Sequence, residues 1–269
     1  MVLRRSERDA RKEFRVVELL LVFIVCTWIS RSVLIGGGEA EVSKTLSVVI
    51  DFVRIDPGTF QMGCSVGDRV CRPNENPVHT VKITKPFDLG RYEVTQSQWQ
   101  SVMGTNPSYF KGENRPVEEV SWDDVQDFIA RLNERNDGPK YRLPTQAEWE
   151  YAARAGRSDS GLANVQQEGW CTENAGGESH PVGQKKANAW GLYDMQGNVA
   201  EWLQDWAGDY FSGEQVNPSG PPSGTAHEIR GASFRAGCPN LRLSQRFNAP
   251  PGIRTYDFGF RLAREVRIS

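Results

Sequence analysis

The sequence lacks the features by which many catalytic and nucleic-acid-binding proteins are recognised. Its 32 lysines and arginines nearly balance its 34 aspartates and glutamates, so no net field would draw it to nucleic acid or to an acidic membrane surface. It contains no phosphate-cradling glycine loop, no His-Glu-x-x-His helix and no internal repeat. Nucleic acid is therefore not a predicted partner. Enzymes built on a phosphate-binding glycine loop or on a metal-binding His-Glu-x-x-His helix are excluded.

Long apolar runs are also missing, except for one near the N-terminus. Five arginines between positions 4 and 15 precede the apolar stretch 19–29. This stretch is too short to span a bilayer comfortably but suits the core of a signal peptide. We therefore predict that residues 1–45 form a signal peptide or membrane anchor plus linker. The protein is expected to be exported, whether periplasmic, membrane-anchored or on the cell surface, and to contact a membrane only through this segment.

Three outcomes stay open for this N-terminal segment. Cleavage fits the small residues within 36–40, lipidation would use Cys26, and retention as an anchor is favoured if the flanking apolar residues lengthen the span. An ordinary buried helix is less favoured, because the run shows no amphipathic pattern.

Cysteine is scarce, and four of the five cysteines lie beyond the N-terminal run. Cys64 and Cys71 bracket six residues, a spacing that in an exported chain predicts a small loop-closing disulfide. Such a cross-link stabilises a fold by about 2–3 kcal/mol. A metal site is less favoured, because His79 lies eight residues on and no second close pair completes a tetrahedral set. Cys171 and Cys238 either pair or stay free, and the sequence leaves both possibilities open.

Regular structure is predicted for the first half of the domain. Alternation around a Pro-Gly pair predicts a β-hairpin over 53–63, and further strands are predicted over 78–84 and 87–94. Three helices are predicted where a hydroxyl residue is followed three positions later by an acid or amide, the pattern of a reciprocal N-cap. Their N-caps are Thr95, Ser121 and Thr145, and the third helix is expected to end at Gly156.

Irregular coil is predicted for much of the chain after residue 157, where periodicity gives way to glycine, asparagine, serine and proline. Backbone groups buried in coil need hydrogen-bond partners, since an unpaired group is costly. The expected internal anchors are bound ions, disulfides and the tryptophans Trp170, Trp190, Trp202 and Trp206.

Four separated motifs are the most informative part of the sequence. They are Arg142-Leu-Pro-Thr-Gln-Ala-Glu-Trp-Glu-Tyr-Ala-Ala-Arg-Ala-Gly156, Gly191-Leu-Tyr-Asp-Met-Gln-Gly-Asn-Val-Ala-Glu-Trp202, Arg230-Gly-Ala-Ser-Phe234 and Phe258-Gly-Phe-Arg-Leu262. Together they resemble the formylglycine-generating enzyme, or sulfatase-modifying factor, family over roughly residues 50–265. The resemblance implies one domain, 46–269, with an α+β, C-type-lectin-like fold made of a small twisted antiparallel sheet, few helices and much ordered coil.

The resemblance also implies a structural calcium ion. Carried over position by position, its ligands would be the side chains of Asp194 and Glu201 and the carbonyls of Gly197 and Val199. Hard oxygen donors around a glycine suit calcium. The alternative is a turn in which the two carboxylates only cap nearby N–H groups. The family's second calcium site would begin at Asn174, with partners that the sequence does not identify.

Oxidases of this family bind copper(I) through two cysteines five positions apart, just after a Gly-Gly-Ser-aromatic motif. Counting forward from Ser233 places Ala236 and Leu241 at these positions, whereas counting backward from the later arginines places Cys238 at the second. At most one thiol remains in either case, and one thiolate does not give the two-sulfur coordination that copper(I) favours. Copper and the usual oxidase activity are therefore not expected.

An active formylglycine-generating or related sulfur-oxidising oxidoreductase stays the alternative. Its thiol site would be rearranged, with Cys171 approaching Cys238 as the catalytic cysteine. The family's iron-dependent sulfur oxidases rely on a histidine-rich partner domain, and the three histidines of this chain give no evident iron-binding triad.

The C-terminal segment 235–257 has fixed points at Arg242, Arg246, Pro251 and Arg254. Their spacing resembles the variable region of retroelement-diversified ligand-binding proteins, which share the lectin-like fold and the closing motif. The positions rewritten in those proteins correspond to Arg235, Ala236, Gly237, Phe247, Asn248, Ala249, Pro250, Ile253, Thr255, Tyr256 and Asp257. A codon for each of these amino acids can be obtained from an asparagine codon by changing its adenines. We therefore predict a face that binds a protein, peptide or glycan ligand.

Tyr256, Phe247 and Arg235 are the expected anchors of this face, because aromatic and arginine side chains dominate interface energetics. Two other sets of residues are expected to be structural. The apolar set forms core: Phe234, Leu241, Leu243 and Phe260. The basic set pairs with buried carboxylates or loop carbonyls: Arg242, Arg246 and Arg254.

Overall fold

The computed structural model describes residues 48–135 and 138–266, so the predicted signal peptide or anchor, with Cys26, lies outside the described residues. Within these ranges, no helix is long and apolar enough to cross a bilayer. The strands are β1 Phe52–Ile55, β2 Gly58–Met62, β3 His79–Ile83, β4 Phe87–Gly90, β5 Tyr141–Arg142, β6 Ala200–Trp206, β7 Gln215–Val216, β8 His227–Arg230, β9 Arg246–Ala249, β10 Phe258–Gly259 and β11 Ala263–Glu265. The α-helices are α1 Gln96–Met103, α2 Trp122–Glu134, α3 Gln146–Arg154 and α4 Val165–Glu168.

The strands form three small sheets. Their strand orders are β1-β4-β11-β5, β10-β6-β8-β9 and β2-β3-β7. Most neighbouring strands are antiparallel, but β10 pairs with β6, and β7 with β3, in parallel. Short sheets, few helices and long connecting segments confirm the predicted α+β class, with mixed pairing spread over three sheets instead of one antiparallel sheet.

The predicted β-hairpin over 53–63 is wrong. Both of its strands exist, but β1 pairs with β4 and β2 pairs with β3, in different sheets. Pro57 has no N–H to donate to a ladder, and the chain crosses here from one sheet to another instead of turning back. The strands predicted over 78–84 and 87–94 are confirmed as β3 and β4, although β4 already ends at Gly90.

The three N-cap predictions are confirmed. At α1, the Thr95 hydroxyl accepts a hydrogen bond from Gln98 N at 3.3 Å, and the Gln98 side chain accepts one from Thr95 N at 2.9 Å. Ser121 and Thr145 open α2 and α3 with the same reciprocal bonds. The third helix ends just before Gly156, whose φ of 86° lies in the left-handed region that favours glycine.

The described residues form three apolar clusters, of which the two larger ones make up the main core. One lies between α1, α2 and the sheet that contains β6, and it includes the fully buried Trp202 and Phe260. The other packs α3, through Trp149, against strands of the other two sheets. The helices therefore fix the β6–β8–β9 sheet, which carries the segment 231–245 between β8 and β9.

Side-chain hydrogen bonds to the backbone fasten the coil predicted after residue 157. Asn188 Nδ2 donates to Ala152 O at 2.8 Å, and Asn188 Oδ1 accepts from Trp190 N at 3.0 Å and from Leu192 N at 3.1 Å. One asparagine thus ties a turn of this coil to the end of α3, as expected for buried irregular structure.

The second half holds more strand than predicted, since β6, β8 and β9 fall where coil is expected. On β6, the carboxylates of Glu201 and Asp205 are only 0% and 3% exposed. Buried carboxylates remove the alternation of polar and apolar residues by which a strand is recognised. Arg261 neutralises the first of them at 2.7 Å.

Candidate ligand-binding face

The segment between β8 and β10 is held by arginine–carboxylate pairs, which confirms the structural role expected of its arginines. The pairs are Arg242–Glu75, Arg246–Glu228 and Arg254–Asp124. Arg242 donates to both Glu75 oxygens, at 2.5 and 2.6 Å, the bidentate geometry of a strong charge-assisted bond. The predicted core residues are at most 1% exposed: Phe234, Leu241, Leu243 and Phe260.

The predicted ligand-binding residues differ in exposure. Four are exposed: Arg235, Asn248, Pro250 and Ile253. Five are half-buried: Ala236, Gly237, Phe247, Thr255 and Tyr256. The remaining two are buried, since Ala249 packs into the core and Asp257 accepts a hydrogen bond from Ser233 Oγ at 2.9 Å. These two therefore position the segment, and we name the exposed and half-buried residues the C-terminal loop face.

An aromatic patch, made by Arg235, Tyr256, Tyr109 and Phe110, joins the C-terminal loop face to the loop after α1. The Arg235 guanidinium lies 5.0 Å from the Tyr256 ring centroid, and the rings of Tyr109 and Phe110 lie 5.8 and 5.9 Å from it. Phe110 also meets the buried Phe234 edge-on at 5.6 Å, while Tyr109 is 69% exposed. Nothing in the sequence marks Tyr109 and Phe110 for this role, because they lie far from Tyr256 along the chain.

Glu118 holds the loop that carries Tyr109 and Phe110. Its Oε1 accepts a hydrogen bond from Phe110 N at 2.7 Å, and its backbone N donates to Ser108 Oγ at 3.1 Å. Its Oε2 is buried and has no hydrogen-bond partner among the described residues. Burial raises the pKa of Glu118 to about 7.

We expect Glu118→Gln to stabilise the protein at pH 8. In the wild type, the raised pKa of Glu118 means that the contribution of its protonated form to stability is fully present below the ordinary value of 4.5. This contribution is lost as pH rises through about 7. Glutamine keeps the acceptor for Phe110 N but does not ionise, so the free energy of unfolding should rise by roughly 2 kcal/mol at pH 8 and much less at pH 5. Urea unfolding at both values measures this, and equal changes would contradict it.

The predicted Cys64–Cys71 disulfide is confirmed and closes the turn after β2. The turn contains Gly63-Cys-Ser-Val-Gly67, which has the spacing of a nucleophile elbow. Ser65 Oγ accepts a hydrogen bond from Arg154 Nη1 at 3.1 Å, and an arginine does not deprotonate to act as a base. The chain continues to β3 and not into the α-helix that an elbow requires, so this serine is structural.

Cys171 and Cys238 also form a disulfide, with Cα atoms 5.1 Å apart. The bond is buried in a small apolar cluster against which Ala236 and Phe247 pack, so this cluster lies beneath the C-terminal loop face. Glu173 Oε2 accepts a hydrogen bond from Cys238 N at 2.8 Å and further ties the two segments together. In this state Cys238 is not a free thiol and does not serve as a nucleophile or copper ligand.

The predicted calcium ligands lie in the turn that enters β6. Asp194 Oδ2 accepts a hydrogen bond from Gly183 N at 2.7 Å, whereas its Oδ1 is buried without a partner among the described residues. Glu201 is bound already, because Arg261 contacts both of its oxygens and Trp149 Nε1 donates to Oε2 at 2.8 Å. Asp194 is therefore the carboxylate with an open coordination position.

Glu93 adds a third buried carboxylate, which no motif marks. Its Oε1 accepts a hydrogen bond from Val199 N at 3.0 Å. Burial, and then the charges of Asp194 and Glu201, raise the pKa of Glu93 well above its usual value. Burial likewise raises the pKa of Asp194 to about 6. The three carboxylates outnumber the positive charges that act on them, which are Arg261 and, for Asp194, Lys185. A bound cation would offset this excess of negative charge.

The sequence matches known proteins over most of its length. Residues 39–266 match the family model described as sulfatase-modifying factor enzyme 1-like domain. The chain is 38% identical to a protein of Paenibacillus barcinonensis named chaperone protein LppX, over 64% of this chain and 77% of that protein. It is 26% identical to the formylglycine-generating enzyme of Streptomyces coelicolor, over 81% of this chain and 90% of the enzyme.

Solved structures show the same fold. Treponema denticola variable protein 1 is 31% identical with a TM-score of 0.71, covering 80% of this chain and 95% of that one. PvdO from Pseudomonas aeruginosa is 28% identical with a TM-score of 0.74, covering 83% and 97%. The predicted C-type-lectin-like, formylglycine-generating-enzyme fold is thus confirmed. The chain belongs to the sulfatase-modifying factor enzyme 1-like domain family.

Proposed function

We propose that this protein is an exported binding protein that holds its ligand on the C-terminal loop face. The aromatic patch carries the proposal, because the exposed Tyr109 and Arg235 and the half-buried Tyr256 converge on a segment fixed by buried ion pairs and a disulfide. Aromatic and arginine side chains supply most of the binding energy of protein interfaces, and rigid display lowers the entropic cost of binding. A protein ligand fits this chemistry best, and a peptide or glycan is the other outcome of a binding screen.

The division between fixed and exposed residues supports this function. The arginines expected to be constant, Arg242, Arg246 and Arg254, are those that pair with carboxylates. Most positions expected to vary are exposed or half-buried. The similarity to Treponema denticola variable protein 1 is in keeping with a fixed scaffold that carries variable positions. An adenine-rich copy of the last hundred or so bases near the coding DNA, with a reverse transcriptase gene beside it, would establish diversification.

Export is part of the proposal. Two disulfides occur among the described residues, and disulfides persist in oxidising compartments outside the cytosol. Together with the N-terminal segment 1–45, they support a periplasmic, membrane-anchored or cell-surface protein.

Tyr256→Ala and Arg235→Ala should each weaken ligand binding at least about tenfold, which is the loss typical of an interface anchor. The ligand is first selected by screening the full-length chain against arrays of proteins, peptides and glycans. Arg235 is exposed and Tyr256 half-buried, so neither substitution should prevent folding, which urea unfolding checks. Val49→Ala, at a site 78% exposed in another segment, is the matched control and should bind normally. A ligand that binds both anchor variants with wild-type affinity would contradict the proposal.

One observation favours a second function, an oxygen-dependent oxidoreductase of the formylglycine-generating type. Cys171 and Cys238 are adjacent, with the Glu173 carboxylate beside them. Once reduced, the pair would offer copper(I) two thiolates, and the bound ion would supply the oxygen chemistry. The disulfide withholds both ligands, so this function requires a reduced pair.

We further propose that calcium supports the fold through Asp194 and Glu201, with the carbonyls of Gly197 and Val199 as additional donors. Calcium at about a hundred times its Kd should stabilise the protein by about 2.7 kcal/mol, since it binds only the folded chain. Thermal unfolding with calcium and with a chelator measures the shift. Asp194→Asn should abolish it, whereas a shift retained in this variant, or none in the wild type, would contradict the site.

A further inference from the structure

A cavity of about 390 Å³ lies between α3, the end of β6 and the segment 207–222. Its volume is typical of small-molecule sites. None of its lining residues belongs to the C-terminal loop face or to the turn 194–201, so the cavity is a separate site. Its apolar walls include Trp206, Phe211 and Pro221.

Two buried polar residues of the cavity, Asp205 and His79, present hydrogen-bond acceptors. Asp205 is 3% exposed, and its Oδ2 accepts from Gln146 N at 2.9 Å. His79 Nδ1 lies 3.0 Å from Pro77 O, so this nitrogen carries the proton and Nε2 is left as an acceptor. A ligand that satisfies these groups must therefore be a hydrogen-bond donor.

The charges around the cavity have one sign. Asp209 stands at the rim as a second carboxylate, and no lysine or arginine is among the lining residues, all of which are described. Among residues 48–135 and 138–266, no cationic side chain lies within salt-bridge distance of Asp205. Burial raises the pKa of Asp205 to about 7, as expected for a carboxyl group whose charge has no partner.

We propose that this cavity binds a small organic cation, an alkylammonium or arylalkylammonium whose N–H groups donate to Asp205 and whose apolar body packs against Trp206 and Phe211. The ammonium would supply the charge partner that the buried carboxylate lacks. Aromatic ring faces also attract cations. Phe211 is 71% exposed, and a ligand beneath it would cover part of this apolar surface. An anion would be repelled by both carboxylates.

Isothermal titration of the full-length chain with phenethylamine and with 2-phenylethanol tests the proposal. The two probes share an apolar body and differ in charge. The amine should bind at least tenfold more tightly than the alcohol. Asp205→Asn should remove this preference, since asparagine keeps an acceptor for Gln146 N but carries no charge. Asp209→Asn, at the exposed rim, is the matched control and should retain most of the preference.

Phe211→Ala provides a second test that does not depend on a buried substitution. Because Phe211 is largely exposed, this variant should unfold as the wild type does, and it should weaken both probes severalfold. Equal affinity for amine and alcohol, no binding of either to the folded wild type, or unchanged amine affinity in a folded Asp205→Asn variant would each overturn the proposal.

Discussion

Replacing Glu150 by alanine should lower the free energy of unfolding by about 3–5 kcal/mol. Glu150 is fully buried and contacts Arg154 at 2.7 Å and Arg230 at 2.5 Å, and it accepts a hydrogen bond from Gly63 N at 2.9 Å. Arg230 is itself 0% exposed, so the substitution would leave its charge in the core without a carboxylate. Arg230 also donates to Leu243 O at 2.8 Å, so the loss should loosen the segment that leads to the C-terminal loop face.

The pH dependence of this loss identifies its cause. Burial would raise the pKa of Glu150, but Arg230 and Arg154 outweigh burial and hold it below the usual 4.5. A lowered pKa means that the stabilisation is present above pH 4.5 and is lost as pH falls through the folded-state pKa. In urea unfolding, the difference between wild type and Glu150→Ala should therefore be largest near neutral pH and shrink on acidification.

An exposed ion pair provides the control for Glu150→Ala. The carboxylate of Asp56 and its partner Arg54 are 83% and 57% exposed, and such pairs contribute little to stability. Asp56→Asn should leave the unfolding midpoint unchanged. A loss of less than about 1 kcal/mol for Glu150→Ala at neutral pH would mean that Arg230 finds another partner or water, contrary to expectation.

Local signals in the sequence predicted the elements whose determinants are local. An N-cap requires only a hydroxyl residue and its partner three positions later, so Thr95, Ser121 and Thr145 could be read directly. Arg242 and Arg254 are predicted to pair with buried carboxylates or loop carbonyls, but their partners, Glu75 and Asp124, come from distant parts of the chain.

Features that depend on distant residues were beyond local reasoning. The hairpin prediction over 53–63 failed because strand partners are chosen by sheet packing, and the neighbouring strand was not the favoured partner. Likewise, Glu93 reaches the 194–201 turn and Tyr109 reaches Tyr256 only through the folded backbone. The disulfide between Cys171 and Cys238, which lie 67 residues apart, is another feature that depends on distant residues. The sequence therefore predicts the frame and the segment that carries the proposed binding face, but not the residues that complete each proposed site.

Removing the Cys171–Cys238 disulfide should cost about 4 kcal/mol, whereas removing Cys64–Cys71 should cost about 2 kcal/mol. The two cross-links span 67 and 7 residues, and the entropy that a cross-link removes from the unfolded chain rises with the length of the loop it closes. Urea unfolding of the two double Cys→Ser variants measures both losses. Equal losses, or a larger one for the short loop, would contradict the expectation.

The two variants should also differ in function. Only the Cys171–Cys238 bond packs beneath Ala236 and Phe247, so its loss should release both segments and weaken ligand binding, while the Cys64–Cys71 variant keeps its ligand.

The redox state of the Cys171–Cys238 bond distinguishes the two proposed functions. A binding protein loses its ligand when this bond is reduced and forms no aldehyde on a cysteine peptide supplied with dioxygen and copper(I). An oxidase is switched on by the same reduction, because only then are two thiolates available. Reduction therefore drives the two functions in opposite directions, and one experiment distinguishes them.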